Sequence, residues 1–126
     1  MRIKDLMHQA FVVDDDIPLS EAADIMSDKE IGSLIYVDGG EIKGIITERD
    51  LLKNFDSKKK ISQVMTKDVV TITPDTRAEE ALDLMRDNKI KRIPVVDKGG
   101  KLIGIVSLTD LATHFEDIGE DFFFDD

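Results

Sequence analysis

The chain of 126 residues carries one pattern twice, and this internal duplication restricts its fold more than any other feature. The landmarks of the first half recur in the same order in the second: Met7 with Met65, Met26 with Met85, Gly44 with Gly104, and Asp50 with Asp110. The pattern predicts two copies of one unit, at residues 1–56 and 61–116, with a charged linker at 57–60. Residues 117–126 form an acidic tail whose phenylalanines, 122–124, we expect to pack on the body or on a second subunit.

Each half shows the same succession of elements, β-α-β-β-α. Short β-rich runs at residues 11–13 and 69–72 precede a helix with a stripe of core residues such as Ala22, Ile25 and Met26. Two strands joined by a Gly-Gly turn follow, and then a last helix. The strands are predicted at residues 34–38, 41–47, 93–97 and 101–107. This succession predicts the class α+β or α/β. Because a repeat of roughly 50 to 60 residues is marginal for burying a core, we expect the two repeats to pack sheet to sheet, with pseudo-two-fold symmetry.

The first long helix of each half is expected to start under a side-chain cap. In the second half, Thr76 and Glu79 have the spacing of a capping box, in which a hydroxyl and a carboxylate satisfy free N–H groups. In the first half Ile17 takes the place of that threonine. Asp16 is therefore expected to cap the helix instead, with Pro18 in its first turn.

Composition and charge exclude several classes of function. The chain has no cysteine, which excludes disulfides, zinc-thiolate sites and cysteine nucleophiles. It has 17 Lys and Arg residues against 27 Asp and Glu residues, a net charge of −10, which disfavours nucleic-acid binding. No apolar run is long enough to span a membrane, and the N-terminus lacks the apolar core of a signal peptide. We therefore expect a cytoplasmic protein without membrane insertion.

A motif of the form Gly-apolar-apolar-hydroxyl-x-x-Asp closes the last strand of each half, as Gly44…Thr47…Asp50 and Gly104…Ser107…Asp110. The hydroxyl lies where strand meets helix, and the free N–H groups of the first helical turn there favour an anion. The aspartate, about one turn further on, can accept hydrogen bonds from two ribose hydroxyls. The same residues also suit a structural role as helix caps. The motif alone thus leaves a phosphate-ribose site and simple capping both open.

Together with the opening apolar-x-x-Met, the Glu-Ala-x-x-x-Met helix and the segment Arg92-Ile93-Pro94-Val95-Val96-Asp97, this motif resembles the CBS domain family over nearly the whole chain. The resemblance implies a tandem CBS pair (a Bateman module), as in stand-alone CBS domain proteins, with two clefts between the repeats. In this family the clefts commonly hold AMP, ADP, ATP or S-adenosylmethionine, and binding regulates an attached or partner protein. The resemblance also implies a homodimer and a regulated protein that the sequence does not identify.

The resemblance assigns roles to individual residues. Asp50 and Asp110 would accept ribose hydroxyls, and Thr47 and Ser107 would contact phosphate or ribose. The other predicted nucleotide-binding residues are those of the adenine slot, Val13, Ser33, Ile72 and Pro94, and three phosphate-binding cations, Arg49, Lys91 and Arg92. Because the first repeat has Gly and Ser where the second has Lys91 and Arg92, we expect unequal affinities. The two cations also suit a solvated strand edge, and which half donates each cleft wall stays open.

An enzymatic function is not indicated. No Gly-x-Ser-x-Gly, His-Glu-x-x-His or phosphate-loop motif occurs. His8 and His114 lie in separate halves without an aligned partner, so we expect neither catalysis nor a metal site from them. The run Asp14-Asp15-Asp16 lacks the ligand spacing of a calcium loop and indicates a turn. We expect a regulatory module without a catalytic cofactor. The alternative is a dimerisation module with vestigial clefts that regulates a partner without nucleotide.

Overall fold

The computed structural model describes residues 1–54, 56 and 58–115, which fold into two compact units. The first unit consists of Ala10–Val69, and the second unit joins the N-terminal segment Met1–Gln9 to the chain from Val70 onward. Each unit therefore combines the body of one repeat with the opening segment of the other. The repeat boundaries and the linker remain a prediction about the sequence. The phenylalanines at 122–124 lie outside the described residues.

The first unit is a three-stranded sheet with two helices and a 3₁₀ turn. Its elements are β1 (Val12–Val13), α1 (Leu19–Lys29), β2 (Ser33–Asp38), β3 (Glu41–Thr47), α2 (Glu48–Lys53) and the 3₁₀ turn Ile61–Gln63. The order in the sheet is β1-β2-β3, with β1 parallel to β2 and β2 antiparallel to β3. The core of this unit consists of Leu19, Ala22, Met26, Leu34, Ile46 and Ile61. The predicted apolar stripe of the first helix is thus part of the core.

The second unit follows the same order with a two-stranded sheet. Its elements are the 3₁₀ turn Ile3–Asp5, α3 (Ala78–Asn88), β4 (Arg92–Val96), β5 (Leu102–Ser107) and α4 (Leu108–His114). β4 and β5 pair antiparallel. The core consists of Ile3, Ile72, Ala78, Ala81, Met85, Ile93, Val95, Val106, Leu108 and Leu111. Met85, like Met26 in the first unit, is buried, so both methionines are core residues as predicted.

The predicted strand at residues 69–72 is wrong, because only Ile72 forms a bridge to β4. In the first unit, the Ile35 amide donates a hydrogen bond to the Phe11 carbonyl oxygen at 3.0 Å and extends the pairing of β1 with β2. Pro94 takes the place of Ile35 in the second unit, and a proline has no N–H to donate. The pairing therefore stops at the two hydrogen bonds of Ile72, to Pro94 and from Val96.

Neither α1 nor α3 has the expected side-chain cap. Their N-cap residues are Pro18 and Arg77, and neither side chain accepts a helix N–H. The first helical amide donates instead to a backbone carbonyl oxygen of a distant segment. Leu19 donates to Lys59 at 2.8 Å, and Ala78 donates to Met1 at 3.0 Å. The helix starts are thus satisfied by contacts that no local motif reveals.

The two residues expected to cap these helices have other partners. Asp16 accepts hydrogen bonds from the hydroxyl of Ser62 at 2.6 Å and from its amide at 3.0 Å. Burial raises the pKa of the Asp16 carboxyl, but these hydrogen bonds and the charge of Lys60 outweigh burial and leave the pKa below its ordinary value. The hydroxyl of Thr76 accepts the amide of Thr73 at 3.2 Å, before α3 begins.

The opening segment of each repeat docks on the last strand of the unit that it joins. The amide and carbonyl of Thr66 bond to those of Ile45, both at 3.0 Å, and those of His8 bond to Ile105 at 3.0 and 2.9 Å. This close approach explains the glycine of the motif. A Cβ at Gly44 would lie 2.9 Å from the Thr66 carbonyl oxygen, and one at Gly104 would lie 3.0 Å from the His8 carbonyl oxygen.

Candidate functional site

The aspartate of the first motif is held in a capping box at the end of β3. The Thr47 amide and hydroxyl donate to Oδ2 of Asp50 at 2.9 and 3.1 Å, and the Asp50 amide lies 3.4 Å from the Thr47 hydroxyl oxygen. This reciprocal arrangement satisfies the start of α2 and fixes the carboxylate against the strand end. The capping role considered for the motif is therefore present in the structure.

The second motif forms the same box with an added partner. The Ser107 amide and hydroxyl donate to Oδ2 of Asp110 at 2.8 and 2.9 Å, and the Asp110 amide donates to the Ser107 hydroxyl oxygen at 3.1 Å. Nε2 of His8 lies 3.0 Å from the same Oδ2. No hydrogen bond between described residues reaches Oδ1 of Asp50 or of Asp110. Both carboxylates are half-buried, so this second oxygen is the one left for a ligand.

The helix amides beside the boxes are less available than the sequence suggested. Glu48 is the first residue of α2, and its amide donates to the Gly32 carbonyl oxygen at 3.0 Å. Leu108 is the first residue of α4, and its amide donates to the Lys91 carbonyl oxygen at 2.8 Å. The third amide of each helix donates to the capping hydroxyl. Two of the first three N–H groups are thus used within the fold. An anion at this turn would depend on side-chain cations more than on the helix start.

The register of each hairpin places a further predicted residue opposite the capping hydroxyl. Ser33 pairs with Thr47 in the first unit, and Arg92 pairs with Ser107 in the second. Ser33 is buried, whereas Arg92 is half-buried and the neighbouring Lys91 is exposed. The two units therefore differ most in charge at this position.

The remaining predicted binding residues lie in both units. In the first unit Val13 is half-buried and pairs with Tyr36, and Arg49 is exposed on α2. In the second unit Ile72 and Pro94 are buried, and the Ile72 amide donates to the Pro94 carbonyl oxygen at 3.1 Å. The contact of Val13, Ile72 and Pro94 with an adenine ring and that of Arg49 with a phosphate remain predictions.

His8 is the residue that sequence reasoning missed. We expected neither catalysis nor a metal site from it and predicted no contact with Asp110, yet its Nε2 lies 3.0 Å from Oδ2 of Asp110, 102 positions away in the chain. The signal was present in the repeat itself, because His8 follows Met7 as Thr66 follows Met65. An alignment of the two opening segments makes His8 and Thr66 equivalent, and the structure places both beside the last strand of a unit.

The described residues contain neither a helix that could span a membrane nor a cluster of metal ligands. Over residues 1–54, 56 and 58–115, no helix has the length and apolar character needed to cross a bilayer. Within the same ranges, no three His, Asp or Glu side chains come together as a metal site. Within the acidic run Asp14-Asp15-Asp16, the carboxylate of Asp16 accepts hydrogen bonds from Ser62.

The family model of the CBS domain matches this chain twice, at residues 3–57 and 61–117. The chain belongs to the CBS domain family. It carries a tandem pair of CBS domains, and its mixed α/β fold, with two small sheets and four helices among the described residues, matches solved CBS pairs. The resemblance inferred from the repeated motifs is confirmed.

Solved structures similar to this CBS pair contain adenosyl ligands. The CBS pair of protein MJ0100, in complex with 5′-methylthioadenosine and S-adenosyl-L-methionine, is 31% identical with a TM-score of 0.84, over 91% of this chain and 99% of that chain. The cytosolic domain of the Mg²⁺ channel MgtE, in complex with ATP, is 29% identical with a TM-score of 0.76, over 87% of this chain and 47% of that one.

One curated relative is an enzyme, inosine-5′-monophosphate dehydrogenase of Methanocaldococcus jannaschii. It is 42% identical over 110 residues, which make up 86% of this chain and 21% of the dehydrogenase. This chain therefore spans about a fifth of that relative and is similar to that part alone.

Proposed function

We propose that this CBS pair is a regulatory module that binds an adenosyl ligand, either an adenine nucleotide (AMP, ADP or ATP) or S-adenosylmethionine, and that it performs no catalysis. The observation that carries the proposal is the duplicated capping box, which fixes Asp50 and Asp110 through Oδ2 and leaves Oδ1 without a hydrogen bond from the described residues. A pre-fixed acceptor binds a ribose diol at lower entropic cost than a mobile one. The complexes of similar CBS pairs with 5′-methylthioadenosine, S-adenosyl-L-methionine and ATP support this ligand class.

The charges around the two boxes support unequal ligand preferences. In the second unit Arg92 lies opposite Ser107 and Lys91 precedes it, so a phosphate next to the ribose would meet two cations. In the first unit Ser33 occupies the matching position, and Arg49 on α2 is the exposed cation of the motif itself. We therefore assign phosphate-rich ligands to the second repeat and ligands with less negative charge to the first.

A homodimer in the cytoplasm is part of the same proposal. The candidate contact on α2 is Leu52, which keeps 76% of its surface exposed, because burying an exposed leucine in an interface removes apolar surface from water. Light scattering of the purified chain is expected to give the dimer mass, and Leu52→Asp is expected to shift the equilibrium toward the monomer. A monomer at high concentration in the parent chain contradicts this part.

Isothermal titration of the purified chain tests the ligand assignment. AMP, ATP, S-adenosylmethionine and 5′-methylthioadenosine are titrated into the parent chain, into Asp50→Asn, into Asp110→Asn and into the double variant. Asparagine keeps an acceptor for the capping box but loses the carboxylate. Each single variant is expected to lose one of two binding events, and the double variant both.

Asp97→Asn is the matched control, because Asp97 also caps a turn, accepting the Gly99 and Lys101 amides at 2.9 Å, but lies outside the motif. It is expected to bind as the parent does. Thermal unfolding gives an independent readout, since a ligand at 100 times its dissociation constant adds about 2.7 kcal/mol. If no adenosyl ligand binds or stabilises the parent chain, the alternative of vestigial clefts in a dimerisation module is favoured.

A further inference from the structure

The imidazole of His8 contacts one carboxylate oxygen of Asp110, the aspartate of the second motif. Its Nε2 lies 3.0 Å from Oδ2 of Asp110, and its Nδ1 lies 3.3 Å from the carbonyl oxygen of Gln9. The side chains of His8 and Asp110 keep 56% and 25% of their surface exposed. A solute can therefore reach the pair, and the contact is open to competition.

In the first unit, the position equivalent to His8 is occupied by Thr66, which has no imidazole. Thr66 pairs with Ile45 as His8 pairs with Ile105, and no hydrogen bond from the Thr66 side chain reaches Asp50 among the described residues. Oδ2 of Asp50 thus accepts two hydrogen bonds from side-chain and backbone groups, whereas Oδ2 of Asp110 accepts three. Oδ1 has no hydrogen bond from the described residues in either unit, so the two aspartates differ at Oδ2. A ribose diol that binds both oxygens of the carboxylate would meet the imidazole at Asp110 but not at Asp50.

The imidazole lies between two acceptors of hydrogen bonds. Both ring nitrogens of His8 face atoms that only accept hydrogen bonds, a carboxylate oxygen and a backbone carbonyl oxygen. A neutral imidazole has one N–H and satisfies one of them, whereas the imidazolium ion donates to both. A charge-assisted hydrogen bond is roughly twice as strong as a neutral one. Since histidine changes its charge between about pH 5 and 8, the hold on Asp110 tightens as the solution becomes more acidic.

We propose that His8 is a specificity-determining residue that weakens adenosyl binding at Asp110 as the pH falls, while binding at Asp50 lacks this dependence. The inference rests on the proposed function, because it requires Asp110 to accept ribose hydroxyls. A ribose diol that binds both carboxylate oxygens must share Oδ2 with His8 or displace it, and a ring that makes a charge-assisted hydrogen bond is harder to displace. As the pH falls, the affinity for an adenosyl ligand is therefore expected to decrease at Asp110 and to stay the same at Asp50.

The other charges near His8 do not reproduce this dependence. β5, on which His8 docks, carries no charged side chain, and α4 carries Asp110 and His114. β4 carries Arg92. Arginine and lysine side chains keep their charge throughout the range in which histidine titrates, so they add no pH dependence there. The charged residues of the opening segment itself are Arg2, Lys4 and Asp5. His114 is the second of the two histidines in the chain, and its ring packs edge-on against Phe115 at 4.8 Å.

A titration with 5′-methylthioadenosine isolates the effect, because this ligand has no phosphate that the imidazolium ion would attract. Isothermal titration is run at about pH 5.5 and about pH 8, spanning the histidine range, on the full chain carrying Asp50→Asn, so that Asp110 provides the remaining site. Affinity is expected to rise about 2- to 5-fold at the higher pH, the effect of one partly exposed charged contact. In the same background His8→Thr, the residue of the first repeat, is expected to bind more tightly in acid and to give a flat profile.

The reciprocal exchange and two further variants sharpen the test. Thr66→His in a chain carrying Asp110→Asn is expected to introduce the pH dependence at Asp50. His8→Gln keeps an N–H donor near Asp110 but does not titrate, so a flat profile is expected even if the threonine variant unfolds. His114→Asn is expected to leave the slope at Asp110 unchanged.

A slope that survives in both His8 variants, or that vanishes in His114→Asn, overturns the role of His8 and leaves the proposed function standing. Equal binding of the parent site at Asp110 at both pH values overturns the role of His8 in the same way. If 5′-methylthioadenosine, AMP, ATP and S-adenosylmethionine all fail to bind the parent chain, the proposed function is overturned and the inference with it.

Discussion

Asp50 and Asp110 sit in nearly identical backbone settings but among different side chains. The amide of the capping residue lies 2.9 Å from Oδ2 in the first unit and 2.8 Å in the second. Each following helix donates its first amide to the carbonyl oxygen of the residue before the first strand of the hairpin, Gly32 or Lys91. Around this shared frame, the second unit has His8, Lys91 and Arg92 where the first has threonine, glycine and serine. The comparison teaches that the capping box around the carboxylate is the same in both units, whereas the side chains around that box differ in charge.

The largest expected effect concerns the docking of the opening segments. Gly44→Ala would place a Cβ 2.9 Å from the Thr66 carbonyl oxygen and 2.7 Å from Cγ of Met65, so something must move. We expect it to lower the free energy of unfolding by about 3 kcal/mol, and Gly104→Ala, whose nearest backbone atom lies at 3.0 Å, by about 1 kcal/mol. Urea denaturation measures both, and equal losses would contradict the asymmetry between the two docking sites.

An intermediate effect is expected from moving the charge pattern of the first site to the second. The double variant Lys91→Gly with Arg92→Ser gives the second repeat the residues of the first. In a chain carrying Asp50→Asn, ATP binding is expected to weaken about 10-fold, because a charge-assisted contact to phosphate is lost, while 5′-methylthioadenosine binding stays the same. Lys98→Gly with Lys101→Ser removes the same charge from the turn between β4 and β5 and serves as control. Equal weakening of both ligands in the first variant would indicate a structural role for the pair.

The smallest expected effect concerns one amide that has different acceptors in the two units. The Ser62 amide donates to the Asp16 carboxylate at 3.0 Å, whereas the matching Lys4 amide donates to the Pro74 carbonyl oxygen at 2.9 Å. Asp16→Asn is therefore expected to cost about 1 kcal/mol of unfolding free energy at neutral pH. Asp75→Asn, at the matching position of the second unit, is expected to cost nothing measurable.

The cost of Asp16→Asn should depend on pH, because the pKa of Asp16 in the folded chain lies below its ordinary value. A lowered folded pKa stabilises the protein above the unfolded value, about 3.9 for aspartate, and this stability is lost as the pH falls through the folded pKa. Urea denaturation from neutral pH down to about pH 3 is expected to show the difference between parent and variant shrinking. A constant difference across this range would contradict the charged hydrogen bonds to Ser62.

Sequence reasoning recovered the elements whose signals are local. The hairpins were predicted to within one residue at each strand end, because Gly-Gly turns and runs of β-branched residues are contiguous in the chain. The spacing of hydroxyl and aspartate predicted that α2 begins directly after Thr47 and α4 directly after Ser107, and the structure has both residues as N-caps. Both aspartates were placed at a strand end for the same reason.

What escaped prediction depends on residues far apart in the chain. The first amides of α1 and α3 donate to backbone carbonyls, and a carbonyl acceptor leaves no mark in the residue types. The run at 69–72 looked like a strand, but Pro94 on the neighbouring strand limits its pairing. The contact between His8 and Asp110 joins positions 102 apart and became visible once the opening segment was seen to dock on β5.

The exchange of opening segments also sets an order for synthesis. A ribosome that has released residues up to Val69 has supplied every part of the first unit. Met1–Gln9, although made before the first unit, must wait until β5 and α4 have emerged before it finds the strand that it pairs with. This segment is thus translated before the first unit but secured after it, and the nascent chain carries His8 without its Asp110 partner until α4 has been made.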